Sequence, residues 1–247
     1  MIRRIYIHNY RCFQNFDLKL EDQSSVLILG KNGTGKSALS SALRILQSIA
    51  KGDNRVKQFL NVGDFAFNRT DEPVRIELSV ELDHKVYDYA VAFELPEGFK
   101  EPRVRDEKLT CDGETVYSRE EAQVELLAGS TRFLVDWHVV ALPIVQISGQ
   151  DNPIETLRSW FSRLVLIAPV PSSIIGESRE ETLYPNEHVS NFAEWFSGVL
   201  REYPASYSVI EAFLKQTMPD FMDFQNKKVG ESAKKIVVRF EVEKKIL

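Results

Sequence analysis

Residues 30–37 read Gly30-Lys31-Asn32-Gly33-Thr34-Gly35-Lys36-Ser37, and this octet constrains the chain more than any other segment. A glycine, four residues, then Gly-Lys-Ser is the spacing of a phosphate-binding loop. Glycines lack a Cβ and tolerate positive φ, so the backbone can approach an anion closely and its successive amides can form a nest around a phosphate. In that geometry Lys36 reaches the β- and γ-oxygens of a nucleoside triphosphate and the Ser37 hydroxyl holds Mg²⁺. The flanks agree. Val26-Leu27-Ile28-Leu29 is an unbroken apolar run, as in a strand buried on both faces of an α/β sheet. Leu39, Ala42, Leu43, Leu46, Ile49 and Ala50 then recur at helical spacing, and Gly52 stands where a helix commonly stops. The phosphates would thus meet a helix N-terminus, whose free amides and dipole favour anions.

Before the loop, Ile5 and Ile7 alternate with Tyr6 and His8. Asn9-Tyr10-Arg11-Cys12-Phe13 interrupts, and Phe16, Leu18 and Leu20 then alternate with Asp17 and Lys19. This reads as a hairpin of half-buried strands. The segment Ile5-Tyr6-Ile7-His8-Asn9-Tyr10-Arg11-Cys12-Phe13 resembles the Ile-x-Ile-x-Asn-Phe-Arg-Ser-Phe opening of SMC-like, RecF-like and OLD-family ATPase heads, and Asn32-Gly33 matches the Asn-Gly of their phosphate loop. The resemblance extends to the short AAA-labelled ABC-like ATPases of bacterial and phage-defence loci. It implies an α/β P-loop NTPase of ABC/SMC-head type, with ATP and Mg²⁺ as cofactors, a homodimer formed on ATP binding, and Arg11 near the nucleotide. The alternative for Arg11 is a solvated turn residue.

Later segments fit an antiparallel β lobe. Val74, Ile76, Leu78, Val80 and Leu82 alternate with polar residues, Asp83-His84 turns the chain, and Tyr87, Tyr89, Val91 and Phe93 alternate in return. A run through Leu109 and Cys111 meets Asp112-Gly113, a hairpin dipeptide, before Thr115-Val116-Tyr117. We expect residues 1–150 to form the P-loop core with this lobe. Residues 151–247 should form a helical region ending in a strand, within the same ATPase domain and incomplete at its C-terminus. In that region Ile154 to Leu166, Val189 to Tyr203 (with Ser190 or Asn191 as cap) and Tyr207 to Met218 carry helical apolar spacing, and residues 236–242 alternate as a strand.

Charge divides unevenly: residues 1–60 carry a net +6 and the remainder −11. The basic start suits a triphosphate site. A basic run of the kind that marks a DNA surface is not evident, so DNA contact rests on the resemblance. Cys12 and Cys111 have no metal or redox spacing. The absence of a leader before Met1 and of a long apolar stretch suggests a cytoplasmic protein without membrane contact.

Hydrolysis in such families uses an apolar strand ending in Asp-Glu and a Ser-Gly-Gly-Gln-like signature supplied across a dimer. Phe133-Leu134-Val135-Asp136 is followed by Trp137 where a general base should stand. Ile147-Ser148-Gly149-Gln150 lacks one glycine of the signature, and Gln146 or Gln150 could serve as a glutamine sensing Mg²⁺ and water. No catalytic residue is assigned. The expectation is therefore an ATP-binding ATPase whose chain alone is nearly inactive, acting with a nuclease or other effector. The alternatives are a nucleotide-sensing binding module without turnover, or a P-loop phosphotransferase.

Overall fold

The alternating N-terminal residues form β1 (Ile2–His8) and β2 (Phe16–Lys19), an antiparallel pair in which Ile5 faces Leu18 and Ile7 faces Phe16. In the computed structural model, which describes residues 1–21, 23–126, 131–147, 152–230 and 232–241, the chain divides into two compact units, Met1–Leu164 and Val165–Leu247.

The first unit is built on one antiparallel sheet. Its further strands are β3 (Val74–Leu82), β4 (Lys85–Glu94), β5 (Arg103–Cys111), β6 (Glu114–Glu120), β7 (Gln123–Leu126) and β8 (Thr131–Leu134), in the order β2-β1-β3-β4-β5-β6-β7-β8. The expected hairpins are present. Asp83 and His84 at β3–β4, like Asp112 and Gly113 at β5–β6, all have positive φ, the backbone that two-residue hairpin turns require. Helix α1 (Lys36–Lys51) buries Ala42, Leu46 and Ile49 in the same core as Ile5, Ile76, Leu78 and Leu109. It ends on Gly52 at φ 111°, whose amide bonds back to Ile49 O, with Asp53 N–H donating to Ser48 O. Helix α2 (Pro153–Ser162) packs beside α1, and Phe161 lies edge-on to Tyr89, 5.9 Å between ring centroids. Thus α2, which the sequence grouped with residues 151–247, packs within the first unit. It is also shorter than its apolar spacing suggested, stopping four residues before Leu166.

The second unit corrects the expectation of a helical region closed by one strand. Helices α3 (Phe192–Glu202) and α4 (Ser206–Thr217) are present, but they accompany a three-stranded antiparallel sheet. Its strands are β9 (Glu177–Ser178), β10 (Phe221–Val229) and β11 (Ala233–Phe240), ordered β10-β11-β9. Only Phe221 and Phe224 of β10 are buried, so its period-2 signal is weak, and β9 is too short to carry one. Val242, assigned to the final strand, lies outside the described residues. Helix α3 approaches the chain at Thr182 so closely that a Cβ on Gly198 would lie 2.2 Å from the Thr182 carbonyl oxygen. Asn191 does occupy the N-cap of α3, yet its side chain bonds to Asn186 N–H and Tyr184 O and not to the helix. Among the described residues no helix is long and apolar enough to cross a membrane.

The largest departure lies just before the glycine loop. Val26–Leu29 forms no strand, and Leu27 and Leu29 are each 81% exposed. A four-residue apolar run becomes a buried strand only between neighbours on both sides, and none of the described strands pairs with it.

Candidate nucleotide site

The glycine loop opens α1 as its spacing predicts. Gly33 and Gly35 adopt φ of 84° and 99°, conformations that L side chains rarely take. Gly35 is the N-cap of α1 and no side chain caps the helix, so its first-turn amides keep no side-chain acceptor. There is no acidic residue in that turn to compete with an incoming anion. A Cβ on Gly35 would come within 2.8 Å of Cys12 Sγ and of the Phe13 ring, so the turn after β1 packs directly on the loop. Thr34 Oγ1 donates to Lys31 O at 2.9 Å and folds the loop back on itself. Lys36 Nζ donates to the carbonyls of Gly30 and Lys31, at 2.5 and 2.8 Å. Its ammonium thereby lies against the loop backbone, tied among the described residues only to neutral acceptors. Lys31, Asn32, Lys36 and Ser37 are solvent-exposed.

These features fit a polyphosphate with magnesium. Gly35 leaves no room for a Cβ and Gly33 stands at positive φ, an ammonium lies by the loop, a helix N-terminus without a side-chain cap follows it, and the Ser37 hydroxyl is accessible. Magnesium retains several waters and needs few protein ligands, so one hydroxyl beside phosphate oxygens is a sufficient protein contribution. Among the described residues no group of three His, Cys, Asp or Glu side chains could hold a metal by itself.

Arg11 is brought to the same place. It sits in a turn where both Asn9 and Arg11 have left-handed φ, 50° and 53°. Asn9 is fully buried and donates through Nδ2 to the carbonyls of Arg69 and Glu72, fixing the turn from beneath. The Arg11 guanidinium donates through Nε to Asp64 Oδ1 (3.0 Å) and through Nη1 to Ser41 Oγ (2.8 Å). Ser41 Oγ donates in turn to Ser37 O at 2.9 Å. Gln146 is exposed and hydrogen-bonds to no loop residue among those described, and Ser148, Gly149 and Gln150 lie outside the described residues.

The strand-end aspartate is local structure. Asp136 Oδ1 accepts the His138 amide at 2.7 Å, and that bond holds its carboxyl below the usual aspartate range. The dipeptide Asp106-Glu107 falls inside β5, not at a strand end. Asp106 pairs with Arg75 at 2.8 Å. Glu107 is buried and accepts from Tyr89 OH (2.9 Å), Tyr117 OH (2.7 Å), Ala141 N–H (2.7 Å) and Leu142 N–H (2.8 Å). Sequence reading missed this network because charged residues on an alternating strand read as its solvent face. The signal was present only as Glu107 falling two residues before Leu109, on the inward side.

Fold and site together define an α/β protein with a glycine loop at a helix N-terminus. A family model described as AAA ATPase domain matches residues 1–246, and the chain belongs to that family, an ATP-binding class of ATPases. The comparison with curated proteins gives no significant match.

Proposed function

We propose that this chain is the nucleotide-binding part of an ABC/SMC-like ATPase in which Mg-ATP binding drives homodimerisation, coupled to a DNA-related or phage-defence task in the cytoplasm. The observation that carries this reading is the packing of the Arg11–Phe13 turn on Gly35. It sets the turn that carries Arg11 against the glycine loop, which supports the resemblance's implication that Arg11 lies near the nucleotide. The wide antiparallel sheet β3–β8 supports the same class by serving as the flanking lobe. Bound Mg-ATP would supply the charge that joins two copies. The chain's own residues supply the amide cradle of Gly30 to Gly35, the Lys36 ammonium and the Ser37 hydroxyl.

DNA or another polyanion as partner has one structural support, in the second unit. Lys227 faces Lys235 and Lys228 faces Lys234 across the β10–β11 hairpin, an arrangement of like charges that is unfavourable without counter-anions. Glu177 and Glu181 pair with Lys235 and Lys234, while Lys227 and Lys228 form no ion pair among the described residues. A nuclease or other effector belongs to the proposal through the resemblance alone.

The test combines melting temperature with light-scattering mass. ATP with Mg²⁺ should raise the melting temperature through binding linkage and shift the mass toward a dimer, and Mg²⁺ alone should do neither. Stabilisation by ATP with a strictly monomeric mass at all concentrations would leave a nucleotide-sensing module as the better reading.

A further inference from the structure

We propose that Asp64 is a positioning residue for nucleotide recognition, holding the Arg11 guanidinium beside the first turns of α1 so that its remaining N–H groups meet the polyphosphate. The proposal rests on reading Gly30 to Ser37 as the phosphate loop.

Asp64 closes the 3₁₀ turn Val62–Asp64 and grips Arg11 twice. Its carbonyl accepts the Arg11 amide at 2.7 Å and its Oδ1 accepts Nε at 3.0 Å, while Oδ2 accepts the Asn61 amide at 3.0 Å. The carboxylate is thus fixed by its own turn before it fixes the arginine. That turn is anchored to the β1–β2 connection at two further points, the Tyr10–Phe65 bridge and Ala66 N–H to Asn9 O at 3.1 Å. From Arg11 the bonds continue through Ser41 Oγ to the carbonyl of Ser37. Three successive side-chain hydrogen bonds therefore join Asp64 to the residue whose hydroxyl faces the metal in the proposed site.

The division of donors on Arg11 gives this chain a purpose. A guanidinium has five N–H donors in a rigid fork. Nε and one Nη1 donor are committed, and Nη2 carries no hydrogen bond among the described residues. The Arg11 side chain remains 45% exposed, whereas that of Asp64 is 16% exposed. The guanidinium also lies over the Tyr10 ring, 5.3 Å from the centroid, which fixes its plane. Here one edge is held and the other faces solvent beside a loop with no acid in its helical turn. Planar forks recognise phosphate oxygens in two-point fashion, which a lysine at the same place does not reproduce.

The experiment measures ATP affinity by calorimetry for the parent and for Asp64→Ala, Arg11→Ala, Arg11→Lys and the double Asp64→Ala/Arg11→Ala. Each is expected to fold as the parent by circular dichroism. Asp64→Ala and Arg11→Ala should each weaken ATP by about tenfold, the cost of one charge-assisted hydrogen bond. The double variant should lose no more than either single, because both remove one interaction. Arg11→Lys should recover only a small part of the loss in Arg11→Ala, since it keeps the charge and loses the fork. Parent-like affinity in Asp64→Ala or in Arg11→Lys overturns the proposal, as does simple additivity in the double variant. If Asp64→Ala does not fold, Asp64→Asn takes its place with the same expected loss, and parent-like affinity in Asp64→Asn or in Arg11→Ala overturns the proposal. Lys36→Ala runs alongside: if it too binds like the parent, the phosphate-loop reading itself has failed, and if it loses binding while Asp64→Ala does not, only the positioning role has.

Discussion

Glu107 and Arg119 face each other at 4.0 Å with both side chains wholly shielded from water. The arginine donates to the carbonyls of Glu121, Val139 and Asp136, while the glutamate collects two tyrosine hydroxyls and two backbone amides. Burial pushes the Arg119 pKa down, with the Glu107 charge opposing that shift. The pair thus fastens the segment 136–142 to β5 and β6. Such a network is expensive to break from one side because it leaves the other charge alone in a medium of low polarity.

Glu107→Ala should accordingly destabilise the protein by about 3–5 kcal/mol, since it strands a buried guanidinium, two phenols and two amides together. The midpoint of urea unfolding reports this directly. A variant within about 0.5 kcal/mol of the parent, the range of ordinary surface changes, would show that water or rearrangement replaces the carboxylate.

Tyrosine ionisation provides the pH dependence. Burial pushes the Tyr10 hydroxyl up to about 12, and Tyr89 and Tyr117 rise well above the ordinary value through burial and then the Glu107 charge. In the unfolded chain all three ionise near 10. Because the folded pKa values are the higher ones, their contribution to stability is complete below about pH 10 and is lost as pH climbs through 12. Unfolding midpoints should therefore hold steady from pH 8 to 9.5 and fall steeply above that. Absorbance at 295 nm should show part of the eight tyrosines titrating only as the protein unfolds. Titration of all eight in a single step near pH 10, with the fold retained, would contradict the buried placement.

How much of this was readable beforehand varied with the kind of signal. Hairpins announced themselves because Asp83-His84 and Asp112-Gly113 supply left-handed backbone between alternating runs, a purely local matter. The start and stop of α1 were equally local, set by Gly35 and Gly52. Val26–Leu29 was misread because apolar residues show what a segment would bury, while its partners are decided elsewhere. Strand β10 escaped notice because only Phe221 and Phe224 are buried and its end, Lys227 to Val229, is exposed throughout, which leaves no alternation to read. In the site, the glycine octet was legible as a unit, and Arg11 only through resemblance. Asp64 and Ser41 were invisible: an aspartate in a turn and a serine on a helix surface acquire meaning only when the fold places both against one guanidinium.

Lys36→Ala should abolish or severely weaken ATP binding while leaving the protein folded. Among the described residues the ammonium bonds only to the Gly30 and Lys31 carbonyls, and Lys36 is solvent-exposed, so stability without nucleotide should change by no more than about 0.5 kcal/mol. Calorimetry on the folded variant checks this. Equal affinity for variant and parent would mean that the loop is a structural glycine turn.

Turnover is the sharpest case, because binding and chemistry need different residues. Phosphoryl transfer depends on positioned charge and an oriented water, and the cradle here provides the first. A general base must be free to reach that water. Among the described residues, four carboxylates near the turns and strands considered above are already committed: Asp64 to Arg11, Asp106 to Arg75, Glu107 to its tyrosines and amides, and Asp136 to the His138 amide. The 247-residue chain should therefore bind ATP and release phosphate no faster than Lys36→Ala measured beside it. Activity should appear when a polypeptide carrying an Asp-Glu strand and a dimer-spanning signature is added, and should then rise more steeply than in proportion to concentration. The measurement is steady-state phosphate release across a concentration series. Robust specific activity that is independent of concentration and above the Lys36→Ala blank would place a working base within residues 1–247 and overturn this expectation.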